Sequence, residues 1–429
     1  MKLLISVLLV LVAVILPARG ASLSLREAEE TAVKNHPRIG AAQLQALAAR
    51  ERTRQVQSAY FPVITGFATA VGTGDPNTRI AAGALSNPGI FDRQADGVSF
   101  SQLLTDFGRT PNLVRSSKLR ARAEAELALA AEDQLRIQVD AAYFGVLEAE
   151  AIRQVAQETI KARQALERQV STLASNKLKS DLDVSFADVA LQEGRLLLSR
   201  AENELQSSYL NLSVLLGDTG KTNLQLSDEP LQLPGMADAS ALAQQALDQR
   251  PELASARLQK SAADSQARAE KSLRYPVISA FGSAGVIPIR DSRFREDYAA
   301  GGVNLSLPIF TGGQHAARLR EAELLALAAG ERVREQENLI IRDVRITLQN
   351  VTYAADKLNL SRKLAASAGQ AQELATARYN IGATSIVELS QAQLAKTTAD
   401  IGLANATFDY QIQIATLNYV VGRPNKSGK

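Results

Sequence analysis

Ala59-Tyr60-Phe61-Pro62-Val63-Ile64, with Phe67 close behind, reappears later in the chain as Arg274-Tyr275-Pro276-Val277-Ile278 with Phe281. Pro62 and Pro276 lie 214 positions apart, as do Phe67 and Phe281, and as do His36-Pro37 and Arg250-Pro251. Further along, the offset becomes 205: Val98→Val303, Ser101→Ser306, Gly108→Gly313, Ser180→Ser385, Asp183→Glu388 and Gly217→Gly422. An indel of nine residues therefore lies between Phe67 and Val98. A long internal duplication has to be read before any local motif, because it sets the architecture within which the motifs act. Two copies of one large unit point to a pseudo-symmetric assembly and not to two independent domains.

Working outward from the repeated stretch, proline placement separates helical from extended segments. All 13 prolines fall outside two windows, 112–229 and 309–423, which are rich in Ala, Leu, Gln, Glu and Arg. These are good helix formers. In the second window, apolar residues recur at Ile341, Val344, Leu348, Val351, Ala355 and Leu358. That alternating spacing of three and four is a heptad seam. Each window has one interruption, Ala174-Ser175-Asn176-Lys177-Leu178-Lys179-Ser180-Asp181 in the first and Asn380-Ile381-Gly382-Ala383-Thr384-Ser385 in the second. Asn, Gly and Ser/Thr there read as a C-cap followed by an N-cap, so each window is a helical hairpin. The first arm, about Asn112 to Ser175, would be roughly 95 Å long. The second, about Asp181 to Leu216, is shorter, and helices over Leu25–Ser58 and Ala239–Leu273 would stack on the short arms.

Between leading helix and hairpin the period changes to two. Val63, Thr65, Phe67, Thr69 and Val71 alternate with Ile64, Gly66, Ala68 and Ala70; Val98 and Phe100 alternate with Ser99 and Ser101; Val303, Leu305 and Leu307 alternate with Asn304 and Ser306. These are strands, two per repeat. Asp75-Pro76, Asn87-Pro88-Gly89, Pro288 and Arg290-Asp291-Ser292 read as the loops that join them. Strands of about ten residues match a tilted membrane strand. Four strands cannot close a barrel, and an open edge is not tolerated in lipid, so membrane insertion would require several copies of the chain. Soluble strands capping a coiled coil are the alternative.

The organisation expected is a signal peptide at 1–20, a first repeat at 21–234 (helix, strands within 60–107, hairpin 111–217, linker) and a second at 235–429 (helix, strands within 275–310, hairpin 314–422). The signal reading rests on Lys2, the apolar run Leu3–Leu16 and the small-x-small Ala18-Arg19-Gly20. The chain has no Cys, which excludes disulfides, thiolate metal sites and a cysteine-borne lipid anchor. With 48 basic and 45 acidic residues there is no electrostatic case for nucleic acid. Gly217-Asp218-Thr219-Gly220-Lys221-Thr222 imitates a phosphate loop, but Leu215 stands at its first-glycine position and it follows a helix. His36 and His315 have no carboxylate or Cys partners in pattern. No catalytic, cofactor-binding or metal-ligating constellation emerges.

In combination these features resemble the outer-membrane efflux protein family, the TolC-like trimeric channels. The resemblance spans the mature chain. It rests on the duplicated halves, Tyr60-Phe61-Pro62 and Tyr275-Pro276 where strands begin, and Leu307-Pro308-Ile309-Phe310-Thr311-Gly312-Gly313 leading into a long helix. It rests further on Arg378-Tyr379-Asn380-Ile381-Gly382-Ala383-Thr384-Ser385-Ile386-Val387-Glu388-Leu389 with Ala392-Gln393, and on Leu417-Asn418-Tyr419-Val420-Val421-Gly422. The fold implied is mainly α with a small β part. Internally duplicated coiled-coil hairpins form an α-barrel, and four transmembrane strands per chain contribute to a shared twelve-stranded β-barrel in a homotrimer. The implied place is the outer membrane, with a periplasmic helical tunnel. The implied partners are outer-membrane lipid, a periplasmic adaptor and an inner-membrane pump of the RND, ABC or a similar class. A periplasmic coiled-coil scaffold without channel activity is the competing reading.

Candidate sites follow from the resemblance and lie at the hairpin tips. The family's acidic constriction ring maps onto Glu388, a second ring position falls on Gln391, and Asp183 is the first-repeat equivalent of Glu388. An acid at the start of a helix is also expected simply to cap it and favour its dipole. Adaptor- or pump-contacting candidates are Asn176, Lys177, Lys179 and Ser180 on the first tip and Asn380, Gly382, Thr384 and Ser385 on the second. The first tip reads Ser-Asn-Lys-Leu-Lys where the family commonly has a glycine turn, and Leu103 replaces the proline equivalent to Pro308.

Overall fold

Prolines at matched positions cut the two leading helices that the sequence pattern presents as continuous. Helix is interrupted at His36 and at Arg250, whose backbones are extended, with ψ 126° and 123°. Each precedes a proline, whose ring disfavours α geometry at the residue before it. Proline itself is well placed to open the next helix, since no carbonyl awaits its missing N–H there. In chain order the elements are α1 (Leu25–Asn35), α2 (Pro37–Gln57), β1 (Val63–Val71), β2 (Ala81–Ala82), β3 (Leu85–Ser86), β4 (Arg93–Thr105), α3 (Arg109–Ser175) and α4 (Asp181–Leu215). The second repeat supplies α5 (Ala239–Gln249), α6 (Pro251–Lys271), β5 (Val277–Ile289), β6 (Asp297–Ser306), α7 (Gln314–Asn380) and α8 (Ile386–Val421).

The computed structural model describes residues 22–71, 81–82, 85–86, 93–218, 224–228, 230, 238–289 and 295–422. The expected signal segment, the loops Asp75-Pro76, Asn87-Pro88-Gly89 and Arg290-Asp291-Ser292, and residues 219–222 of the phosphate-loop lookalike lie outside them.

The long helices α3 and α7 both run 67 residues, about 100 Å each. Helix α3 begins two residues before Pro111, which is tolerated in a first turn. Its start is fixed by buried Asp106, whose carboxylate accepts the Thr110 N–H at 2.7 Å and the Thr110 hydroxyl at 2.5 Å. On α7 the buried stripe is Ile340, Val344, Thr347, Val351, Ala354 and Leu358, continuing to Ala365, Ala368, Ala375 and Tyr379. The expected heptad steps are therefore present, but Ile341, Leu348 and Ala355 lie half-buried on the margin. Both sets flank Val344, Val351 and Leu358 at neighbouring helix positions, and spacing alone cannot say which of them is central.

Two compact units draw on both repeats. One comprises Met1–His36, Gln134–Met236 and Leu348–Leu417; the other comprises Pro37–Asp133, Ala237–Thr347 and Asn418–Lys429. In the first unit, Leu23, two residues before α1, and the linker after α4 form a parallel bridge, Leu23↔Leu226. Buried Tyr143 of α3 clasps it, its hydroxyl accepting the Ser227 N–H at 3.0 Å and standing 2.7 Å from the Leu23 carbonyl oxygen.

The second unit holds a four-stranded antiparallel sheet in the order β1-β4-β5-β6. Pro288, which the sequence pattern assigns to a loop, lies inside β5 next to its last residue. It falls at an irregularity of the β4–β5 register, between Asp96↔Val286 and Gln94↔Ile289, a kind of place where a strand tolerates proline. Pairing obeys the duplication residue for residue. Val63↔Ser101 through Val71↔Arg93 in the first hairpin become Val277↔Ser306 through Gly285↔Tyr298 in the second.

Candidate functional site

Both hairpin tips are built by the same backbone device. At the end of α3 the Lys177 N–H bonds the Ala174 carbonyl at 2.9 Å and the Leu178 N–H bonds the Leu173 carbonyl at 2.8 Å. At the end of α7 the Gly382 N–H bonds Tyr379 at 3.0 Å and the Ala383 N–H bonds Arg378 at 2.8 Å. These paired bonds are Schellman closures, which place one residue in the left-handed region. That residue is Gly382 (φ +74°) in the second tip and Lys177 (φ +60°) in the first. A side chain in that conformation costs on the order of 1–2 kcal/mol, and glycine does not pay it. Lys177→Gly is therefore expected to stabilise the first tip by about 1 kcal/mol. Amide hydrogen exchange at Asn176 and Leu178 should slow several-fold; unchanged or faster exchange would refute the account.

The two equivalent acids occupy one helix position but are used differently. Asp183 closes a capping box on α4: its N–H donates to the Ser180 hydroxyl oxygen at 3.2 Å, and its carboxylate accepts the Ser180 N–H at 3.1 Å and hydroxyl at 2.8 Å. Those bonds from Ser180, helped by Lys179, hold its carboxyl below the usual range. The Glu388 N–H likewise donates to the Ser385 hydroxyl oxygen at 3.2 Å. Its carboxylate instead accepts the Thr384 hydroxyl and meets Arg378 Nη1 of α7 at 3.5 Å. Arg378 corresponds to Leu173 in the first repeat, so this ion pair has no counterpart there. The Glu388 side chain stays 52 % exposed, and Gln391 is also exposed.

Two of the remaining candidates, Lys179 and Asn380, tie the hairpins to one another. Lys179 Nζ sits 4.5 Å from the centroid of the Tyr379 ring, a cation–π geometry. The Asn380 side-chain oxygen accepts from Gln169 Nε2 at 3.2 Å. The Asn176 amide caps α3 on the Thr172 carbonyl at 2.8 Å. Lys177 remains exposed. Beneath the tips lies an apolar cluster of Leu166, Val170, Ala187, Ala375, Tyr379, Ile386 and Leu389, drawn from α3, α4, α7 and α8. Burial and the nearby Asp183 carboxylate push the Tyr379 phenol up. Gln169 lies outside the tip motif, and Arg378 and Tyr379 open that motif without being among the candidate contact residues, yet all three make contacts here. The available signal was divergence: Arg378 and Tyr379 stand where the first repeat has Leu173 and Ala174.

At the sheet, the register sorts side chains onto two unlike faces. One face carries Ile64, Ala68 and Ala70, then Val98 and Phe100, then Ile278, Ala280, Ala284 and Val286, then Ala299, Val303 and Leu305, with Gln94, Asp96, Gln102 and Asp297 as its polar members. The other carries Thr65 and Thr69, Ser99 and Ser101, Ser279 and Ser283, Asn304 and Ser306, with Val63, Phe67, Leu103, Val277 and Phe281 among them. In a single chain the apolar face is bare: Ile64 is 71 %, Val303 64 % and Leu305 61 % exposed. Strands β1 and β6 each have a neighbour on one side only.

The outer membrane efflux protein profile matches residues 29–218 and 242–423, one segment in each repeat. The chain is 24 % identical over 421 residues to the outer membrane protein TolC of Vibrio cholerae, covering 93 % of this chain and 90 % of that one. A membrane protein from Pseudomonas aeruginosa has the same fold at 23 % identity and a TM-score of 0.81, covering 93 % of both chains. The Campylobacter jejuni CmeC outer membrane channel has it at 17 % identity and a TM-score of 0.82, covering 93 % of this chain and 85 % of that one. With both repeats matched, and with long helical hairpins joined to a two-faced sheet, the chain belongs to the outer membrane efflux protein family.

Proposed function

We propose that the chain is the outer-membrane exit duct of a tripartite efflux or type I secretion system. It acts as a passive conduit assembled from three copies and opened at its periplasmic tips by an adaptor and an inner-membrane pump. The observation that carries this reading is the sheet. Its four strands of 9 to 13 residues have one mainly apolar face, one face rich in Ser, Thr and Asn, and two open edges. Strands of that length span a bilayer when tilted. Membrane barrels place the apolar face toward lipid and the polar face toward the lumen, and they leave no edge unpaired. Among the described residues no helix is long and apolar enough to cross a membrane, so on this reading the strands do the crossing. Three chains of four strands make a closed barrel of twelve.

In this scheme Glu388, Gln391 and Asp183 stand near the narrowing of the tunnel. Asn176, Lys177, Lys179 and Ser180, with Asn380, Gly382, Thr384 and Ser385, present the surface that a partner would read. Energy for export would come from the pump, because the mechanism asks only for passage along a polar lumen. A scaffold reading makes the opposite prediction about lipid. Full-length protein extracted from envelopes should run as a heat-modifiable trimer and give single-channel conductance in a planar bilayer. A water-soluble, non-conducting chain would sink the duct.

A further inference from the structure

We infer that β6 of one copy closes on β1 of a second copy in a single register, with Leu305 opposite Ala68, Asn304 opposite Thr69, Val303 opposite Ala70 and Ser306 opposite Phe67. This rests on the trimeric reading above and adds to it the residues in contact.

The duplication carries the inference. Within one chain, the β1–β4 pairing maps onto the β5–β6 pairing without a slip. The β4–β5 junction is the place where the last strand of one repeat meets the first strand of the next. Its pairs are Ser101↔Phe281, Phe100↔Gly282, Ser99↔Ser283 and Val98↔Ala284. Shifted by the two repeat offsets, these become Ser306 with Phe67, Leu305 with Ala68, Asn304 with Thr69 and Val303 with Ala70. The second member of each new pair can lie only on a neighbouring copy, because β1 and β6 are the two outer strands of the sheet.

Two physical checks agree with this register. The first is parity, since a slip of one residue swaps the faces of a strand. In the proposed register Leu305, Val303, Ala68 and Ala70 share the apolar face, and Asn304 and Thr69 share the polar one. The second is volume. At each junction inside the chain a phenylalanine ring lies over a glycine directly opposite. A Cβ at Gly97 would stand 3.0 Å from the Phe67 ring, one at Gly282 2.3 Å from Phe100, and one at Gly302 3.2 Å from Phe281. Such pairing of aromatic and glycine pins the register of adjacent strands. At the inter-copy junction Phe100 and Gly282 are replaced by Leu305 and Ala68. The smaller apolar side chain faces the larger small one, so the pair keeps nearly the same volume, the kind of exchange that packing tolerates best.

The chain lacks cysteine, so introduced pairs report without background. Directly opposed residues bring their Cα atoms to about 4.5–5.5 Å, within disulfide range, whereas a slip of two residues leaves about 7–8 Å. Full-length Asn304→Cys/Thr69→Cys and Leu305→Cys/Ala68→Cys, oxidised in envelopes, should yield covalent trimers on non-reducing gels. Asn304→Cys/Phe67→Cys and Asn304→Cys/Val71→Cys, whose Cα separation exceeds the usual disulfide range, should give little or none. Preferential cross-linking of a slipped pair would overturn the register while leaving the trimer intact. Failure of every inter-copy pair, with the intrachain control Ser99→Cys/Ser283→Cys oxidising normally in a trimer, would overturn closure through these edges. The same failure in a chain that sediments as a single copy would sink the trimeric reading itself. As an independent readout, Leu305→Phe alone should lower the temperature at which the trimer dissociates, and Leu305→Phe/Ala68→Gly should restore it. No rescue would count against the proposed pair.

Discussion

Gly285→Val is expected to remove nearly all assembled protein from the outer membrane. Gly285 lies on β5, opposite Gly97 of β4 and Tyr298 of β6. A Cβ placed there would stand 2.3 Å from the Asp96 carbonyl oxygen, 2.8 Å from the Gly97 Cα and 2.7 Å from the Tyr298 hydroxyl. Tyrosine can swing aside, but the two backbone atoms can yield only if β4 and β5 part. That junction joins the hairpin of the first repeat to the hairpin of the second. Overpacking in a tight site costs about 1–3 kcal/mol, and more where backbone must move. The measurement is the fraction of heat-resistant trimer in the outer-membrane fraction, expected to fall about tenfold or more. Gly330→Ala on α7 meets nothing within 4 Å and serves as the control. It should assemble normally and gain up to about 1 kcal/mol of helix stability. Normal assembly of Gly285→Val would show that the described packing of β4 on β5 is wrong.

The second large effect is expected at the tip. If Glu388 contributes a ring of three carboxylates to a narrow passage, Glu388→Ala should reduce preference for cations over anions. Each half-exposed carboxylate contributes about 0.5 kcal/mol toward a passing ion, so three together amount to a change on the order of tenfold. The structure supplies a control of opposite sign. Arg378 Nη1 lies 3.5 Å from the Glu388 carboxylate and partly neutralises it. Arg378→Ala should therefore raise cation preference in reversal-potential measurements on single channels. Thr384 also holds that carboxylate, so the acid keeps a position without arginine. Unchanged selectivity in both variants would remove Glu388 from the conduction path and leave it as a helix-capping acid.

Much of the fold was legible because its signals are local or periodic. Proline-free windows marked the hairpins, and the turns at Ser175–Asp181 and Asn380–Ser385 fall where the helices end and restart. Period-two alternation located β1, β4 and β6, and the repeated Tyr275-Pro276-Val277-Ile278 located β5. Other features were misjudged. The breaks at His36 and Arg250 were lost because the helical pattern continues across them, although the prolines beside them were the clue. The seam on α7 was found but centred one position off at alternate residues, since apolar residues flank it on both sides.

The duplication, read from sequence alone, determined the order of elements, the matched lengths of the two long helices and the position of each tip. Spacing between residues is a property of the chain itself and survives any fold. Only the tertiary structure decided which faces of the strands are apolar together, since that requires register across four strands. Only it paired Arg378 with Glu388, set Lys179 over Tyr379 and closed Tyr143 on the linker. These contacts join residues 10, 84, 120 or some 200 positions apart, where no local pattern records the approach. The two acids beside the tips make the point most directly. They share one sequence position in two repeats, and only their different neighbours separate a closed cap from a carboxylate held toward solvent.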